Sequence, residues 1–177
     1  KTSYDLEFQN VTNDNYLKIH DFDGIKDTNT LMSNINPSSL TSFFKLEKEI
    51  DDDTGISTSV RMYENLAVTN KNDKYQYIFP DFSFYKNIDL QEDYNGAFSF
   101  GSSGYQKLYD TNVYEAQLNN DFNFASYNKI NNGFVSSYNF LLKNFNTYSE
   151  NSSVFENNAD HELFSTFLIN TEFPLRK

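Results

Sequence analysis

Apolar and polar side chains alternate with a period of two along much of the chain, and helical periodicity is weak throughout. The clearest run is Tyr114 to Ser126. Its even positions are Tyr114, Ala116, Leu118, Asn120, Phe122 and Phe124; its odd positions are Glu115, Gln117, Asn119, Asp121, Asn123 and Ala125. Successive side chains of a strand point to opposite faces, so this window predicts a strand with one mostly apolar face and one mostly polar face. Other windows repeat the pattern. Tyr4, Leu6 and Phe8 share a face, as do Phe44 and Leu46, then Ile56, Val60 and Met62, then Phe98 and Phe100. So do Phe134, Tyr138, Phe140 and Leu142, opposite Ser137, Asn139 and Lys143, and finally Leu163, Phe167 and Ile169. Between Tyr75 and Ile88 the phase changes: Tyr75, Tyr77 and Phe79 alternate first, then Phe82 and Phe84. The break falls at Pro80-Asp81. Proline cannot donate to a strand ladder, so a bulge at Pro80 is expected there. Pro37 is a second candidate within an extended stretch from Thr28 to Ile50.

These windows predict an all-β, antiparallel up-and-down meander of about eight long strands. The expected connections are 12–27, 51–55, 67–75, 89–94, 104–113, 127–132 and 147–158, alternately long and short. Outer-membrane barrels place short turns on one rim and longer loops on the other, and their tilted strands need about 9–11 residues. The aromatic stripes fit two environments: the buried face of a soluble β-sandwich or jelly roll, or a surface turned to lipid. The loop rhythm favours the second. Tyr114, Leu118, Phe122, Phe124, Phe134, Tyr138, Phe140 and Leu142 are then lipid-facing, and Glu115, Gln117, Asn119, Asp121 and Asn123 line a lumen.

Composition narrows the chemistry. Aromatics make up 18% of the 177 residues, which argues against disorder. The formal net charge is −11 and the cations are scattered, so no nucleic-acid partner is expected. There is no cysteine, which excludes disulfides and Cys-based metal sites. No signal peptide is evident, and no apolar run approaches the ~18 residues of a transmembrane helix. The expectation is a single segment, 1–177, of something longer, with no second domain.

No catalytic, cofactor or metal residue is assigned, and enzyme activity is not expected. His20 and His161 lie far apart and lack metal-ligand spacing. Asp51, Asp52, Asp53 and Gly55 read as a solvated turn rather than a calcium loop, and Asp21, Asp23 and Gly24 are a similar weak case. No window sets a carboxylate among apolar residues, as a general acid requires. The serine pairs lack a nucleophile elbow. Gly101-Ser102-Ser103-Gly104 reads as a turn.

An ordered set of short motifs carries a family resemblance. After a first strand comes Asn13-Asp14-Asn15-Tyr16-Leu17, then Thr30-Leu31-Met32-Ser33, then Val60-Arg61-Met62-Tyr63-Glu64-Asn65-Leu66. A polar loop leads to Tyr77-Ile78-Phe79-Pro80-Asp81-Phe82-Ser83-Phe84. Gly96-Ala97-Phe98-Ser99-Phe100 follows, then Thr111-Asn112-Val113-Tyr114-Glu115 and Gly133. From about Tyr4 to Tyr148 this order resembles the C-terminal barrel of the LPS-assembly outer-membrane protein family, LptD, also called the organic-solvent-tolerance protein. The chain departs from it in having Glu115 where members often have Arg, and in lacking the jellyroll domain and the first and last barrel strands. The family's lateral seam and disulfide cysteines therefore lie outside this segment. The resemblance implies a bacterial cell outer membrane location and lipopolysaccharide insertion into the outer leaflet. It also implies a lipoprotein plug, a periplasmic bridge protein delivering lipopolysaccharide, and contact with membrane lipid. Another outer-membrane barrel, such as a porin or channel, and a secreted carbohydrate-binding β-sandwich remain the alternatives.

Overall fold

A computed structural model describes residues 1–15, 38–68, 73–90, 95–109 and 112–173. His20, Pro37, the Asp21-Asp23-Gly24 group and the Thr30–Ser33 motif fall outside them. The described residues form nine strands: β1 Thr2–Glu7, β2 Ser39–Asp51, β3 Thr54–Asn65, β4 Tyr75–Asp89, β5 Gly96–Tyr109, β6 Val113–Ser126, β7 Lys129–Asn131, β8 Phe134–Glu150 and β9 Asp160–Glu172. Every pairing is antiparallel. Consecutive strands are neighbours from β1 to β6. β8 then joins β6, the short β7 pairs the start of β8, and β9 closes the order. The protein is thus an all-β meander in one open sheet, with β1 and β9 at its edges.

Because directly paired residues of an antiparallel ladder share a face, the register assigns every side chain to one of two surfaces. At β4 the assignment switches. Ser59 pairs with Asp81 but Arg61 with Ile78, and Asp81 pairs with Tyr105 but Ile78 with Lys107. Phe79 and Pro80 therefore stand opposite one residue on each side, an irregularity at the position where the sequence changes phase. It lets Tyr77 and Phe82 occupy the same face despite their odd spacing.

Several connections differ from expectation: residues 147–150, expected in a connection, belong to β8, and the expected connection 12–27 lies largely outside the described residues. Gly101–Gly104 is not a turn; it lies in the middle of β5, paired with Leu118–Asp121 of β6. Gly104 is required by packing: a Cβ there would sit 2.5 Å from the Gln117 carbonyl oxygen and 3.1 Å from the Phe82 ring. β5 consequently runs on to Tyr109, and the expected long connection 104–113 shrinks to residues 110–112. Where the connections are described, the long–short rhythm holds at 151–159 against the two-residue turn 52–53 and fails between Tyr109 and Val113. We call the rim at which β2, β4, β6 and β9 begin the loop rim, and the other the turn rim. On the turn rim, 127–132 contains β7, whose hairpin to β8 closes through Asn132 and Gly133, both at positive φ (50° and 83°). An Asn-Gly pair is the usual solution for a two-residue hairpin, because both central residues adopt φ > 0. Asn95, Asn112 and Asn151 also have positive φ in connections. Asparagine tolerates that region better than other non-glycine residues, which accounts for part of the chain's asparagine content.

Candidate functional site: the two faces of the sheet

Among the described residues only two hydrophobic side chains are buried, Leu40 and Leu66, both near the loop rim. Most of the large exposed apolar side chains gather instead on one uncovered face. Phe84 meets Phe100, Phe100 meets Phe122 at 4.7 Å between ring centroids, Phe124 meets Tyr138, and Tyr138 meets Phe167. This chain of rings crosses β4, β5, β6, β8 and β9. Tyr114 packs edge-on to Tyr148, and Phe134 contacts Phe173 across the last hairpin. Leu118 and Leu142 lie on the same face, opposite Asn146 and Phe122 respectively. All eight residues expected to face lipid therefore share one surface, continuous with Tyr4, Leu6, Phe44, Val60 and Phe82. Tyr138 and Phe140 remain about two-fifths exposed and Phe167 60% exposed, so no second layer covers them.

The apolar band does not run straight across the sheet. On β2 it centres on Phe44 and Leu46, at the level of Val60, Ala116 and Tyr148, and ends at Lys48. On β8 it centres on Phe140 and Leu142, at the level of Phe124, Phe98 and Ile88. From the midpoint of Phe44 and Leu46, at the level of Gln117, to that of Phe140 and Leu142, at the level of Asn123, the band slides six residues over the five strand steps from β2 to β8. That is about 1.2 residues per strand, or about 4 Å against a strand spacing of about 4.8 Å. The strands are thus inclined at about 40° to the normal of the band, within the tilt range of strands that cross a membrane.

The opposite face is mostly polar, although the register also puts Tyr85, Leu141, Phe145, Phe164 and Leu168 on it. Glu115, Gln117, Asn119, Asp121 and Asn123 all lie on it, paired with Lys107, Tyr105, Ser103, Gly101 and Ser99. Arg61 is 3.2 Å from Asp81, which also accepts from Ser59, and Lys143 is 3.6 Å from Asp121. Glu115 is the most constrained of the group, only 3% exposed. Its carboxylate accepts from the Tyr109 hydroxyl at 2.7 Å and the Ser152 hydroxyl at 2.5 Å, with Lys107 at 3.7 Å. The Lys107 ammonium also lies 3.9 Å above the Tyr109 ring. Ser152 belongs to the connection 151–159, and fully buried Ser149 donates to the Phe155 and Glu156 carbonyls of the same connection. That connection is therefore folded over the polar face at the loop rim. Periodicity places Glu115 on this face; its partners come from distant sequence and are not visible in the alternation.

The apolar face carries a polar track that the sequence reading missed. Ser102 donates to Asn120 at 2.8 Å, and Asn120 and Asn146 both donate to the Asn144 side-chain oxygen. The His161 Nδ1 lies 2.8 Å from the Asn146 oxygen. It crosses β5, β6, β8 and β9. Each of these residues looks like an ordinary loop or strand polar group until the register aligns them.

At the loop rim Lys74 bridges Asp14 and Glu64, 2.8 Å from each. These hydrogen bonds hold its pKa well above the usual lysine range. Asp51, Asp52 and Asp53 form the β2–β3 turn, in which the Asp53 amide donates to the Asp51 carboxylate. No group of three or more acidic or histidine side chains is arranged to hold a metal ion among the described residues. No protein-family model, curated protein or solved structure matches the chain.

Proposed function

We propose that this chain is part of the wall of a bacterial outer-membrane β-barrel. Its apolar face meets lipid, its polar face borders the aqueous interior, and the short turns lie on the periplasmic side. The observation that carries this reading is the uncovered apolar band running diagonally across the sheet. A sandwich half would also expose an apolar face when isolated, but nothing in that architecture calls for a band inclined at membrane-strand tilt. The open edges β1 and β9 are completed by further strands, since an unpaired edge in lipid leaves backbone groups unsatisfied. On the ordered motifs that resemble the LPS-assembly family, the barrel serves lipopolysaccharide transport to the outer leaflet. The sugar and phosphate head passes along the polar side while the acyl chains stay in the bilayer, with the lipoprotein plug and the periplasmic bridge as partners.

The chain has no cysteine, which makes single-cysteine labelling of the intact protein clean within this segment. Cysteine at Gln117 or Asn119 should react with a water-soluble maleimide, and cysteine at Phe122 or Phe140 should be protected by lipid. The protein should fractionate with the outer membrane and need detergent for release. Equal labelling of both faces, or recovery of intact protein from the soluble periplasm, would sink the barrel reading. Unchanged surface lipopolysaccharide on depletion, with conductance in planar bilayers, would replace the transport role by that of a channel.

A further inference from the structure

The apolar face is not smooth. Ala116 is the smallest side chain in its stretch of β6, and it sits between Gln106 of β5 and Tyr148 of β8. Pro80 and Phe82 wall the resulting groove on one side and Tyr148 and His161 on the other; its volume is about 350 Å³. On the inclined band Ala116 stands about six residues from the band centre towards the loop rim. At 3.3 Å per residue and a tilt of about 40° that is about 15 Å from mid-membrane, just beyond the edge of an apolar band about 25 Å tall. The groove thus spans the boundary between hydrocarbon and head groups on the loop side. Its inner end is apolar, at Leu118 and Phe82. Its outer end is polar but carries no Lys, Arg, Asp or Glu. Two polar groups there lack partners among the described residues: the exposed Gln106 amide, and the His161 Nε2, whose ring is held through Nδ1 by Asn146. An unpartnered amide at the edge of hydrocarbon is costly unless something hydrogen-bonds it.

We propose that this groove holds one lipid molecule of the loop-side leaflet. Its ester and hydroxyl oxygens lie at Gln106 and His161, and one acyl chain runs inward over Leu118. The proposal rests on the barrel reading. The uncharged lining selects the ester-and-hydroxyl belt of the lipid rather than its phosphate, which would call for Arg or Lys. The side chain of Ala116 leaves the space, and the rings of Phe82 and Tyr148 set its width.

The test is native mass spectrometry of the intact protein, reconstituted in phosphatidylethanolamine vesicles and then exchanged into detergent. The wild type should retain one lipid per protein. Ala116→Trp should lose it, and Gln106→Leu should weaken retention roughly fivefold, as loss of one hydrogen bond does. Phe167→Trp, on the same face but outside the groove, should retain it. Circular dichroism of each variant should report unchanged strand content; Gln106→Leu keeps the test open if Ala116→Trp does not fold. No retained lipid in the wild type, equal retention by Ala116→Trp, or a second protein copy in place of the lipid would each overturn the proposal. Any of these results from a protein that still fractionates with the outer membrane leaves the barrel reading standing; a soluble protein removes both.

Discussion

Gly55 and Gly104 each admit a ring from a neighbouring strand, yet their neighbours differ in how far they can yield. A Cβ at Gly55 would collide with the end of the Tyr85 ring, which can swing away; a Cβ at Gly104 would strike the Gln117 carbonyl, which is fixed in the ladder. Gly104→Ala should therefore cost about 1–3 kcal/mol, the range for overpacking, and Gly55→Ala distinctly less. Urea midpoints of the intact protein in micelles measure the difference, and equal shifts would contradict the packing account. Glu115 offers a second residue-scale prediction. Glu115→Ala strands the Lys107 ammonium and frees Ser152, so it should destabilise by about 1–3 kcal/mol and expose residues 151–159 to protease. Glu115→Gln keeps acceptor capacity for Tyr109 and Ser152 and should protect the connection better than Ala.

At the scale of elements, connections are tied to strands by charge as much as by apolar packing. Lys74, at the start of β4, joins the connection 66–74 to Asp14 beyond β1 and to Glu64 of β3. Its folded pKa is raised, so its contribution is present in full below the unfolded value, about 10.4, and is lost as pH rises through the folded value. Amide protection factors in residues 66–74, which discount the intrinsic base catalysis of exchange, should stay constant between neutrality and pH 9 and fall only in strong alkali. Lys74→Met should lower them throughout that range; a wild-type fall near pH 9 would show that the bridge is weaker than its geometry.

The described residues form a single layer, and none of them covers its apolar surface. Solvated, such a surface would be far larger than the few hundred Å² that soluble proteins leave exposed. Against lipid it needs no cover. Charge placed on it then separates the two faces. Phe122→Arg, near the middle of the band, should cost about 2–4 kcal/mol and lower the yield of folded protein in the membrane, whereas Asn123→Arg, one residue on and facing the other way, should cost close to zero. Folding yields into vesicles of matched thickness measure both, and equal effects would place the two faces in the same environment.

The sequence by itself determined the strands and their two-faced character, because alternation at i and i+2 is a property of one extended chain and needs no partner. Phe122, Phe124, Phe140 and Leu142 announce one face, Glu115 to Asn123 the other, and Pro80 the phase break. Only the tertiary structure decided how those strands align. Gly101–Gly104 looks like a turn because glycine and serine favour turns; pairing with β6 and the Phe82 ring makes it the middle of a strand. The inclination of the apolar band and the groove at Ala116 follow from register between strands distant in sequence. So does the hydrogen-bonded line from Ser102 to His161. Register is set by the whole ladder, including the irregularity at Phe79–Pro80, and no window of the chain contains it.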